Sequence, residues 1–187
     1  MFIQTEQTPN PATLKFLPGR DVMANGTNGM SADFPTSDLA KRSPLALALF
    51  GIEGVRGVFF GGDFVTITKE DDREWSFLKP AILAVIMEHF TSGQALFAEG
   101  SAGEPVSPED EGEIVAQIKE LLETRVRPAV AQDGGDIVFR SFEDGVVFLH
   151  LQGSCSGCPS STATLKAGIE NLLRHYIPEV REVRAAQ

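Results

Sequence analysis

Cysteine is scarce in this sequence: two residues in 187. That excludes a disulfide framework, and two thiols in such a chain favour metal or redox chemistry in a reducing compartment. Positive charge is short as well. Lys and Arg number 16 against 26 Asp and Glu, a formal net charge of −10. A nucleic-acid binder needs a basic face to neutralise phosphates, so nucleic acid is excluded as a partner. Long apolar runs are missing. The run at 45–50 is far too short to cross a bilayer, and no membrane association is expected. The opening Met1-Phe2-Ile3-Gln4-Thr5-Glu6 has no basic stretch leading into an apolar one, and no Arg-rich, acid-poor transit segment is seen. The expected address is therefore the cytoplasm.

Catalytic signatures are lacking too. There is no Gly-x-Ser-x-Gly, no P-loop and no dinucleotide fingerprint, so no enzyme is expected. The glycines of 57–62 have no lysine and no helix behind them, and a hairpin turn accounts for them. Asp133 and Asp136 flank two glycines and read as a tight turn rather than an acid/base pair. A zinc ribbon or finger is disfavoured. The chain has no second Cys-x2-Cys, and His89, His150 and His175 form no spaced pair.

What is present is enough apolar material for compact cores, 42% of residues. Thr8-Pro9-Asn10-Pro11 is turn-like, because a residue before proline is pushed out of the helical region. Residues 12–17 alternate as a strand, and 20–37 read as a surface loop. Ser43 and Pro44 open a short helix as cap and first residue. Residues 55–60 and 64–68 make a hairpin, followed by a helix over 76–90. Residues 91–112 turn rich in Gly, Pro, Ser and acid, as an interdomain connector does. A second helix starts near Glu113 and should kink or end near Arg127, ahead of Pro128. Strands at 137–142 and 146–151 form a second hairpin. A helix over about 160–176 follows, its apolar stripe running Leu165, Ile169, Leu172, Leu173 and Tyr176. A short strand at 179–183 ends the chain. The fold class is α+β: two small α/β-layered domains, each with a short sheet (a β-hairpin core) packed against helices, joined by a flexible linker.

Both cysteines lie in Gly153-Ser154-Cys155-Ser156-Gly157-Cys158-Pro159-Ser160-Ser161. Thiolates are soft donors, and two at this spacing can hold one metal or one edge of an iron–sulfur cluster. The following helix would offer its positive end to them. Three readings stand at this point. Cys155 and Cys158 are metal or cluster ligands, a thioredoxin-like redox pair, or small buried hydrophobes. The Gly/Ser-rich context argues against the last. The redox pair normally follows a strand in a βαβ unit, whereas here it follows a hairpin. Ser160, Ser161, Thr162 and Thr164 are candidate caps and donors around sulfur, and His150 is more readily structural than a ligand.

Gly134-Gly135-Asp136, the cysteine stretch and Thr164-Leu165-Lys166 together resemble the C-terminal domain of NifU-like (Nfu-type) iron–sulfur proteins. Thr8–Phe16, Val58-Phe59-Phe60, Asp63–Thr66, Trp75 and Leu78-Lys79-Pro80 resemble that family's N-terminal domain. Domains are expected at 1–92 and 112–187, with a linker at 93–111. The resemblance implies a scaffold or carrier that holds an iron–sulfur cluster and passes it to apo iron–sulfur client proteins, receiving it from upstream cluster-assembly proteins. Carried over, the cluster and metal ligands are Cys155 and Cys158. A cluster usually takes four protein ligands and one chain offers two. A homodimer bridged by one [4Fe–4S] cluster, or by the smaller [2Fe–2S], supplies the rest. Acidic domains repel and no large apolar stripe is expected to be left over, so the cluster-free chain is expected as a monomer. The alternative is a dithiol oxidoreductase of the Cys-x2-Cys type.

Overall fold

The computed structural model describes residues 1–23, 31–98, 112–156 and 159–186, without the side chains of 159–161. The chain divides into two units, Met1–Glu104 and Pro105–Gln187. The first is built in the order β1 (Gln4–Gln7), β2 (Thr13–Leu17), β3 (Ala32–Phe34), α1 (Ser37–Ala40), α2 (Pro44–Phe50), β4 (Val55–Phe60), β5 (Val65–Lys69) and α3 (Trp75–Ser92). Its five strands pair antiparallel in the order β1-β2-β5-β4-β3.

The β4–β5 hairpin forms the middle of this sheet. Phe16, Phe34, Phe60, Ile67, Leu45, Leu49, Ile82 and Ile86 are fully buried between sheet and helices. Ser43 caps α2 by accepting a hydrogen bond from the Ala46 N–H at 3.3 Å. The Thr8-Pro9-Asn10-Pro11 stretch is a built turn. The Asn10 side chain accepts from the Ala12 N–H at 3.0 Å, and the Asn10 carbonyl accepts from the Thr13 N–H at 3.0 Å. The Trp75 indole donates to the Pro11 carbonyl at 3.3 Å. The distinctive N-terminal motif is therefore accounted for as turn construction.

Three features depart from the sequence reading. First, the expected loop at 20–37 holds β3 and the start of α1, while its residues 24–30 lie outside the described residues. Val22 and Met23 are buried and donate to the Gly62 carbonyl at 2.8 and 3.1 Å. Second, packing continues past α3. Ser43 donates to the Leu96 carbonyl at 2.6 Å, and the Ala98 N–H donates to the Arg42 carbonyl at 2.9 Å. Residues 99–111 of the expected linker lie outside the described residues. Third, α3 is apolar on its outer side as well. Phe77 is 81% and Met87 41% exposed. An apolar stripe is therefore left over, because Phe77 and Met87 sit off the face that carries Leu78, Ile82 and Ile86.

Asp33 on β3 gives this unit a pH signature. Burial pushes its carboxyl up to about 6, against the Arg42 charge and the Phe34 N–H, which both pull it down. Below the ordinary Asp range both folded and unfolded chains are protonated there, and the group has no effect. Between that range and about 6 the folded chain holds a proton the unfolded chain has lost, so stability falls as pH rises through the window. Asp33→Asn should flatten this slope and stabilise the first unit at pH 7 by about 1–3 kcal/mol. The chain's one tryptophan, Trp75, lies in this unit. Its fluorescence in urea titrations at several pH values therefore isolates the transition, and identical pH slopes in both proteins would refute the assignment.

The second unit runs α4 (Glu113–Leu121), a π-helical turn (Leu122–Val126), α5 (Arg127–Gln132), β6 (Gly135–Glu143), β7 (Val146–Gly153), α6 (Pro159–Tyr176) and β8 (Glu182–Ala185). β6 and β7 form an antiparallel hairpin, and β8 adds to β7 in parallel. Asp144 and Gly145 both have positive φ, +50° and +81°, the two-residue turn that matches strand twist. The core gathers Ile118, Leu122, Val126, Ile137, Val147, Leu149, Ile169, Leu173 and Ile177. The helix does not end before Pro128. It passes through the π turn, with the Arg127 N–H bonded five residues back to the Leu122 carbonyl, and continues as α5. Pro128 has no N–H to lose there. Tyr176, expected on the buried stripe, is 48% exposed, and Ile177 fills the core instead.

Candidate functional site

Gly153, with φ +63°, ends β7 opposite Gly135 at the start of β6. The chain then turns through Ser154, Cys155 and Ser156, with the Ser156 N–H on the Gly153 carbonyl at 3.1 Å. The long helix α6 begins at Pro159. Its N-terminal end carries the positive end of the helix dipole. Cys155 is 6% exposed and belongs to the core of this unit. Cys158 and Gly157 lie outside the described residues, as do the side chains of Ser160 and Ser161.

Gly135 is required by this arrangement. A Cβ there would stand 2.7 Å from the Cys155 sulfur, 2.7 Å from the Gln152 carbonyl oxygen and 3.1 Å from the Cys155 nitrogen. The sulfur occupies the room that glycine leaves. Ser154, buried at 3%, donates its hydroxyl to the Asp133 carbonyl and its N–H to the Gly134 carbonyl at 3.3 Å. The Thr162 hydroxyl, on the second turn of α6, donates to the Cys155 carbonyl at 3.2 Å. Thr162, expected near sulfur, thus holds the backbone of Cys155.

Next to Gly135, Asp136 is 5% exposed and grips Arg127 through two parallel bonds. Arg127 Nε donates to Oδ1 and Nη2 to Oδ2, both at 2.9 Å. Oδ1 also accepts from the Ile137 N–H at 2.7 Å. The hydrogen bond to Asp136 raises the Arg127 pKa further above its ordinary value, against the opposing effect of burial. Asp133-Gly134-Gly135-Asp136 is a turn, as read, but Asp136 also anchors α5 to the strand that carries the cysteine-facing glycine. A carboxylate between Gly135 and Ile137 at a strand start was the available signal that a cation must be near.

His89 belongs to the first unit, His150 and His175 to the second. His89 is buried in the first unit, and burial lowers its pKa. His150 stands opposite Val138, and by strand alternation it points away from the face of Leu149, which joins Cys155 in the core. The His175 ring meets Tyr176 edge-on near the end of α6. Among the described residues no three His, Cys, Asp or Glu side chains come together as a metal site.

Two family models match, "Scaffold protein Nfu/NifU N terminal" over residues 3–93 and "NifU-like domain" over residues 118–184. The chain belongs to the Nfu/NifU scaffold family. Over 98% of its length it is 55% identical to the "NFU1 iron-sulfur cluster scaffold homolog, mitochondrial" of Homo sapiens, of which it covers 71%. The same share of the chain is 55% identical to the homolog of Drosophila virilis, of which it covers 61%. It is 56% identical to the "NifU-like protein 5, mitochondrial" of Arabidopsis thaliana, of which it covers 67%. These names overturn the cytoplasmic expectation. A count of two cysteines speaks for a reducing environment and cannot tell one reducing compartment from another. The α+β class, the two-unit architecture and the Nfu/NifU resemblance stand as read.

Proposed function

We propose that this chain is a non-enzymatic carrier of an iron–sulfur cluster, held by Cys155 and Cys158 of two copies and delivered to apo-proteins. The observation that supports it most directly is the seat of Cys155. A soft donor sits in a loop of small residues ahead of a long helix. The relatives from Homo sapiens and Drosophila virilis are named iron-sulfur cluster scaffold homologs. The cargo is a [4Fe–4S] cluster, with [2Fe–2S] the smaller option. Two thiolates per chain meet the usual four ligands only across a two-fold pair. Delivery is ligand exchange at iron. Each donor thiolate is replaced by an acceptor thiolate and no electrons are transferred. Residues 112–187 form the cluster-bearing domain, 93–111 the connector and 1–92 a second module. The partners are apo iron–sulfur clients and an upstream cluster donor.

The test is anaerobic reconstitution of the full chain with ferrous iron and sulfide. Visible spectra, iron and sulfide analysis, and size-exclusion chromatography with light scattering are read on the product. The expected result is a brown dimer with one cluster per two chains. A colourless protein that reduces insulin disulfides would replace this reading with the dithiol oxidoreductase. A coloured monomer holding a whole cluster would refute the bridge.

A further inference from the structure

A ligand shared with a second chain must reach outward, yet Cys155 is 6% exposed and packs in the core with Ile137, Leu149 and Ile169. Among the described residues, three contribute to this seat. Gly135 provides the space that the sulfur fills, since even a methyl group would come within 2.7 Å of it. Ser154 ties the loop to the Asp133–Gly134 turn by a hydroxyl bond and an N–H bond. Thr162 ties the Cys155 carbonyl to α6 at 3.2 Å. On either side, Gly134 and Gly153 hold positive φ, +79° and +63°, where other L residues are strained.

We propose that Gly135, Ser154 and Thr162 are positioning residues that keep the Cys155 thiol withdrawn in the cluster-free chain, so that the loop must open before a cluster is taken up. This rests on the carrier reading for its purpose, though not for its geometry. Opening breaks the Ser154 and Thr162 side-chain bonds and draws the sulfur out of the Gly135 notch. The step is a local opening, the kind that sets the reactivity of buried groups. Two consequences follow. An unloaded chain shields one of its two ligands from adventitious metal and oxidant. Uptake is paced by the loop rather than by thiolate chemistry.

The experiment uses the full-length Cys158→Ala chain, in which Cys155 is the one remaining thiol. It is labelled with iodoacetamide, native and in denaturant. Native labelling should be slower by about tenfold or more. Ser154→Ala and Thr162→Val, added singly, should each speed native labelling by about 2- to 10-fold, the worth of one hydrogen bond. Their circular dichroism should match that of the parent. Gly135→Ala should drive the sulfur out and speed labelling further. If that variant fails to fold, the two hydrogen-bond variants still decide. Native labelling as fast as in denaturant, or rates untouched by Ser154→Ala and Thr162→Val, would overturn the proposal. With both cysteines present, the same two substitutions should hasten the growth of cluster absorbance, and unchanged growth would remove the gating role. Labelling needs no cluster, so a chain that never took up iron would defeat the carrier reading while leaving the withdrawn thiol as measured.

Discussion

Cys155→Ala and Cys158→Ala should each abolish cluster uptake and the cluster-dependent dimer together. In a two-fold assembly one substitution removes two donors at once, one from each copy, and leaves two thiolates for a group that usually needs four. Among the described residues His150 points away from the core face and no metal-binding trio assembles. The fold should survive. Cys155 behaves as a small apolar residue in a core, and trimming its sulfur should cost the second unit about 1 kcal/mol. Loss of brown colour with an intact far-ultraviolet spectrum separates ligand chemistry from collapse. A Cys155→Ala chain that still dimerises around a cluster would contradict the bridged arrangement. The exposed Phe77 on α3 makes the cluster-free control essential. Dimers seen without iron would come from apolar contact, and only the iron-dependent part bears on the cysteines.

Local chemistry was readable where it acts locally. The Ser43-Pro44 start of α2 and the Asp144-Gly145 turn are decided by a cap, a fixed φ and a tolerated positive φ, all within a few residues. The hairpins, the long helices and the cysteine loop between β7 and α6 follow from the same signals. What escaped is non-local. β1 (Gln-Thr-Glu-Gln) has no apolar alternation and exists because β2 offers it an edge. β3 is three residues long and is fixed by β4. β8 falls at 182–185 rather than 179–183, and its parallel pairing with β7 depends on where α6 returns the chain. At the site, the spacing picked out Cys155 but could not reveal that Gly135, twenty residues earlier by about that count of the sequence, leaves room for its sulfur. Nor does any pattern pair Arg127 with Asp136. Arg127 directly follows a π turn, whose wider period an α-helical pattern does not show.

Arg127→Met should be the most destabilising of the substitutions considered, at about 3–5 kcal/mol in the second unit. Asp136 would remain buried at the start of β6 with the Arg127 charge gone, and a neutral donor such as the Ile137 N–H does not replace a bidentate guanidinium. Glu123, 3.5 Å from Arg127 and mostly exposed, contributes little by comparison. The cost is one of leaving a charge unpaired, not of losing a favourable bond. Asp136→Asn in the same chain should therefore recover a large part of it, because a neutral amide has less to lose on burial. The measurement is urea-dependent hydrogen exchange at the amides of β6 and β7, with Trp75 fluorescence as the internal standard for the first unit. The single substitution should lower protection in β6 and β7 and leave the Trp75 transition in place. Loosening the start of β6 also loosens Gly135, so Cys155 in the Arg127→Met chain should label faster than in the parent. If Arg127→Met and the double variant were equally unstable, the pair would be acting through the packing of the arginine stem rather than through charge.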